Sequence, residues 1–92
     1  MCTYATELAT VSGSAKWPGG TWFHFSRAAV YFDHPVHAMA DHTLNIDLAD
    51  PGGGPSARVA LELSTESALE LAGAIRRALA GVPAGALSPP LP

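Results

Sequence analysis

Residues 57–81 read Ala57-Arg58-Val59-Ala60-Leu61-Glu62-Leu63-Ser64-Thr65-Glu66-Ser67-Ala68-Leu69-Glu70-Leu71-Ala72-Gly73-Ala74-Ile75-Arg76-Arg77-Ala78-Leu79-Ala80-Gly81, and their hydrophobic period changes partway along. Ala57, Val59, Leu61 and Leu63 fall on one side of an extended chain, with Arg58, Ala60 and Glu62 on the other. That alternation predicts a strand with one buried face. Beyond Ser64 the period lengthens. Ala68, Leu71, Ala72, Ile75 and Leu79 recur at helical spacing and make one apolar stripe. Thr65 is placed to cap the helix, and Glu66 puts negative charge in its first turn, where the helix dipole favours it. Arg76 and Arg77 supply positive charge near the other end. Gly81 and then Pro83 stop the helix. A strand therefore runs almost directly into a C-terminal helix.

Working back towards the N-terminus, every earlier segment reads as strand or turn. Asp41–Leu48 alternates, with His42, Leu44, Ile46 and Leu48 on one face and Asp41, Thr43, Asn45 and Asp47 on the other. Asp50-Pro51-Gly52-Gly53-Gly54-Pro55 links it to the strand at 57–63. It lacks the Lys-Ser/Thr and the following helix of a phosphate loop. Trp22–Phe32 is rich in aromatic and β-branched residues, and Ser26-Arg27-Ala28-Ala29 in its middle marks a bulge or break. Trp17-Pro18-Gly19-Gly20 is a turn. Residues 3–12 form the first strand. The fold class is α+β: an antiparallel sheet of about four strands with one C-terminal helix packed on one face. Residues 1–81 make the single domain, and the Pro- and Ala-rich 82–92 make a disordered tail able to adopt polyproline II.

Composition narrows the partners. The 92 residues fit one domain. Charged residues are 14%, well below the ordinary share of about 25%, so part of the surface is expected to be covered. One helix covers only one face of a sheet, and the face holding Trp22 or Phe23 and Phe25 needs water, a ligand or a second copy. A homo-oligomer, dimer or higher, is the expectation. Five Lys and Arg in all, with net charge −3, argue against nucleic acid, which needs several aligned cations. No apolar run approaches the ~20 residues of a membrane span, and no secretory signal is visible. The single cysteine, Cys2, cannot form an internal disulfide, so cytoplasmic residence is expected.

Chemistry concentrates between Asp33 and Asp47. Three of the four histidines, His34, His37 and His42, occur in a His-x2-His-x4-His pattern among Asp33, Asp41 and Asp47. Imidazole is the commonest ligand for zinc and its neighbours, and three ligands with an open position make a catalytic arrangement. His34, His37 and His42 are the candidate ligands of a divalent transition metal such as zinc. Asp33 and Asp47 are the candidate orienting carboxylates or bases, with His42 able to act beside them. Strand parity puts His42 and Asp47 on opposite faces, so both serve one site only across a bulge or a subunit boundary. Two other readings stand beside this one. A metal-free His/Asp acid–base isomerase or cyclase needs only a poised imidazole and a carboxylate. In a non-catalytic interaction module the histidines are structural. A deprotonated Cys2 is a further conceivable ligand or nucleophile. In the catalytic readings the partner is a small-molecule substrate.

The stretches Cys2-Thr3-Tyr4, Gly13-Ser14-Ala15-Lys16, Val30-Tyr31-Phe32-Asp33-His34-Pro35, His37-Ala38, His42-Thr43-Leu44-Asn45-Ile46-Asp47 and Ala57-Arg58-Val59-Ala60 resemble a family of small actinobacterial proteins classed as a domain of unknown function. The resemblance runs over roughly residues 2–80 and leaves out the Pro-rich tail. It carries no assigned activity, so no catalytic residue follows from it. It implies a bacterial setting and a place in specialised metabolism.

Overall fold

The structure, a computed structural model, describes residues 4–54 and 57–87. Cys2, the first residue of the expected first strand (Thr3) and the last five residues of the expected tail lie outside the described residues. Four strands, β1 (Thr6–Lys16), β2 (Trp22–Asp33), β3 (Thr43–Ala49) and β4 (Arg58–Leu63), precede helix α1 (Thr65–Ala80). The strands pair antiparallel in the order β1-β2-β3-β4, each beside its neighbour in sequence. The α+β class, the four antiparallel strands and the helix after them are as the alternation and the period change predict.

Register assigns each side chain to a face. Val30 pairs Ile46, Phe32 pairs Leu44, and Ile46 and Leu44 pair Leu61 and Leu63. These apolar positions form the face over which α1 lies. Tyr31 pairs Asn45, Asn45 pairs Glu62, and Asp47 pairs Ala60. These make the opposite, polar face. The firm alternation of β3 and β4 therefore decides the chemical character of both faces.

The first hairpin is longer than expected. β1 runs on through Gly13 to Lys16 because of a bulge. Thr10 pairs Arg27 and Gly13 pairs Phe25, so Val11 and Ser12 together oppose Ser26. The irregularity expected within 26–29 thus lies opposite that segment, in β1, while β2 runs unbroken. The extra residue moves Gly13 and Ala15 onto the face of Phe25 and Phe23. Phe25 lies across Gly13, where an added Cβ would come within 2.6 Å of the ring. Only glycine admits this approach. Phe23 stacks on Trp17 at 4.8 Å, and the turn between them is closed by Trp17 N–H donating to Thr21 and Gly20 N–H donating to Trp17.

Both ends of α1 differ in detail from expectation. The cap is Ser64, whose hydroxyl accepts from the Ser67 N–H, rather than Thr65, which is already helical. Of the two arginines only Arg77 lies in the last turn. Gly81 ends the helix at φ −88°, so its left-handed freedom is unused. The stop comes from the Val82 N–H turning back to the Leu79 carbonyl, just before Pro83. Within the expected tail, Ala84–Ala86 forms a short 3-10 turn.

The core is thin. Among the described residues Ala28 is the only hydrophobic one that is buried, and no residue of α1 is. The helix rests on β3 and β4 but leaves a cleft of ≈340 Å³ above Val30, Phe32, Leu44 and Ile46. The best-buried side chains are polar: Thr43 at 2% exposure and Asn45 at 5%. Thr43 Oγ1 donates to Asn45 Oδ1 at 2.6 Å, which satisfies both where water is excluded.

Candidate functional site

The histidine-rich segment is the connection between β2 and β3, residues 34–42. Two carboxylates shape it. Asp33, the last residue of β2, accepts from the His34 N–H at 2.7 Å. Glu62, from β4, reaches across the polar face and accepts from the N–H groups of Val36, His37 and Ala38. One carboxylate thus gathers three consecutive backbone donors that a loop would otherwise leave to water. The Ala38 N–H, then that of Val36, hold Glu62 below its ordinary value of 4.5. Pro35 has a fixed φ and disfavours helical backbone at His34, so the chain leaves β2 extended.

The ends of the loop meet. The rings of His34 and His42 lie 4.4 Å apart. His34 Nδ1 is 2.9 Å from the Asp41 carbonyl oxygen. A carbonyl only accepts, so Nδ1 is the donor in this contact and Nε2 is left to face other partners. His42 Nδ1 lies 2.9 Å from Asp41 Oδ2, so the Asp41 carboxylate stands beside the His42 ring. The His42 ring stacks on Phe32 at 5.3 Å with 14° between planes, and Tyr4 stands edge-on to both. The ring stack fixes the orientation of His42. Donor atoms of His34, Asp41 and His42 all lie within 4.8 Å of one another. This is the one group among the described residues with the spacing to hold a metal ion.

The three ligands expected from the sequence are thus only partly assembled. His34 and His42 come together, Asp41 completes the set, and His37 is not part of it. His37 instead lines an open cavity of ≈720 Å³ on the polar face, with Tyr31, Asp33, His34, Asn45, Asp47 and Arg58. Asp47 lies in that cavity, bound by Tyr31 Oη–H at 3.0 Å and by Arg58 Nη2 at 2.9 Å. His42 lies with Phe32 on the helix side. Asp33, His42 and Asp47 are therefore not gathered at one point, for the parity reason read from β3. Asp33 and Asp47 share the cavity.

Burial, and then the hydrogen bond to Asp47, push the Tyr31 phenol above its ordinary value of 10.0. The hydrogen bond and charge of Asp47 push Arg58 up as well. Tyr31 keeps its proton at neutral pH, and Asp47 is held between a phenol donor and a cation. Two contributors escaped the reading of the loop, Arg58 and Glu62. The signal for both was their parity: they occupy the polar positions of β4 and so point to the same side as Asp47.

Among the described residues no helix is long and apolar enough to cross a membrane. Comparison with curated proteins and with solved structures finds no match. The described family of unknown function, DUF6295, matches residues 1–88. That span takes in every strand, the helix and the whole histidine loop, and the chain belongs to this family of unknown function, DUF6295.

Proposed function

We propose that this protein binds a divalent transition metal, zinc or similar, through His34, Asp41 and His42, and uses it on a small oxygen-bearing molecule held in the polar cavity. One observation carries the reading. His34 belongs both to the three-residue donor group and to the wall of the cavity, so an ion held there borders the space where a substrate fits. Three protein donors leave coordination positions open, and a metal so held polarises an oxygen or activates a water. The chain's own groups supply the rest. Phe32 stacks on the His42 ring, Tyr31 holds a proton beside Asp47, and Arg58 fixes the Asp47 carboxylate.

The test is calorimetric titration of chelator-treated protein with Zn²⁺. One ion per chain is expected. His34→Ala and His42→Ala each weaken binding at least about tenfold, the scale set by loss of one ligand or of its support, whereas His37→Ala leaves it unchanged. Failure to bind, or equal binding by the His34/His42 double variant, overturns the proposal. The Tyr31–Asp47–Arg58 contacts favour a second reading, metal-free acid–base catalysis. There the chelator changes nothing, while Asp47→Asn abolishes turnover of a cavity ligand with the far-UV circular dichroism intact.

A further inference from the structure

We infer that the polar cavity recognises a neutral carboxamide, whose carbonyl oxygen accepts from Asn45 Nδ2 and whose N–H donates to Tyr31 Oη. The inference rests on the proposed function for the choice of cavity, and not for the metal ion. Asn45 carries it. This residue is only 5% exposed, yet it lines the cavity. Its Oδ1 is taken by the Thr43 hydroxyl at 2.6 Å, and Nδ2 has no acceptor among the described residues. No buried side-chain nitrogen or oxygen among them lacks a partner, so Nδ2 is not sealed in. It opens to the cavity with two N–H donors. A donor held so deep in the sheet takes its acceptor from whatever fills that space.

Tyr31 supplies the matching half. It pairs Asn45 directly across β2 and β3, and side chains so opposed stand ~5 Å apart at Cβ. Its proton goes to Asp47 at 3.0 Å, and burial, then that bond, keep the phenol protonated at neutral pH. Oη is therefore left to the cavity as an acceptor. A donor beside an acceptor is the complement of an amide, which presents C=O beside N–H. Charge argues against an ion. The lining sets the carboxylates of Asp33, Asp47 and Glu62 against the guanidinium of Arg58, which disfavours an anion. Those carboxylates already accept from groups of the chain: Asp47 from Tyr31 and Arg58, Glu62 from the Val36, His37 and Ala38 N–H groups, Asp33 from that of His34. That engagement disfavours a cation.

Titration of the chelator-treated, isotope-labelled full chain with butyrolactam, a small ring amide, tests it by nuclear magnetic resonance. A saturable shift of the Asn45 side-chain amide signals is expected. Cyclopentanone, the same ring with a methylene in place of the N–H, is expected to bind about fivefold more weakly, the loss of one neutral hydrogen bond. Asn45→Asp keeps an acceptor for Thr43 and removes both donors, and is expected to lose the binding. If that variant unfolds, the ketone comparison on the unaltered protein carries the test. Propionate and protonated pyrrolidine, the anionic and cationic counterparts, are expected to leave the Asn45 signals in place. Absence of a saturable shift overturns the inference, as does equal binding of cyclopentanone or of either ion. Zinc binding without a response to butyrolactam overturns this inference alone. A response to butyrolactam in protein that binds no zinc supports it and overturns only the metal reading.

Discussion

Replacing Thr43 by Val removes one oxygen from the most deeply buried side chain among the described residues. The change keeps the β-branch and nearly the volume, so strand preference and rotamer are conserved. It deletes the 2.6 Å hydrogen bond to Asn45 Oδ1 and strands that oxygen in a residue only 5% exposed. The lost bond is worth about 1 kcal/mol, and stranding a buried acceptor raises the total towards about 1–3 kcal/mol. The methyl that replaces the hydroxyl returns at most ~0.8 kcal/mol of apolar burial. The net expectation is about 1–2 kcal/mol. At ~4–8 °C per kcal/mol for a chain of this length, the melting temperature falls by roughly 5–15 °C. Urea unfolding at fixed protein concentration measures it, with the m-value unchanged. Asn45→Leu and the double variant complete a cycle. The double variant is expected to cost less than the sum of the singles by about 1 kcal/mol, because neither partner is then stranded. A Thr43→Val loss below ~0.3 kcal/mol, or strict additivity in the cycle, refutes the argument that this bond anchors the start of β3 beside His42.

Two further predictions concern the loop and the first hairpin. The Glu62 carboxylate is depressed below its ordinary value of 4.5, so its stabilisation of the loop is fully present above that value and is lost as pH falls through the depressed one. Glu62→Gln is expected to lower hydrogen-exchange protection at Val36, His37 and Ala38 at neutral pH and to remove its acid dependence. Unchanged protection at those three amides refutes the assignment. Gly13→Val places a Cβ within 2.6 Å of the Phe25 ring, forcing Phe25 away from Phe23. A cost of about 1–3 kcal/mol with loss of near-ultraviolet circular dichroism is expected, and Gly13→Val combined with Phe25→Ala should recover part of the stability. Intact aromatic dichroism in the single variant contradicts the close approach.

What the sequence determined by itself was local and periodic. The alternation in Leu44–Leu48 and Val59–Leu63 sets which side chains share a face, because a strand reverses its side chains at every residue. That parity already separated His42 from Asp47. The period change after Ser64 set the helix, since only a 3.6-residue repeat aligns Ala68, Leu71, Ile75 and Leu79. The tertiary structure decided whatever depends on chain path between elements. His37 is as close to His34 in sequence as any ligand pair requires, yet Glu62 from a strand 24 or more residues away in sequence ties the backbone at 36–38 and leaves Asp41 to join His34 and His42. The bulge at Val11-Ser12 was invisible because it arises from pairing with Ser26 rather than from either strand alone. The tightness of α1 against the sheet was not legible either: an apolar stripe requires a covering surface, but the stripe does not say whether that surface lies in its own chain or in another.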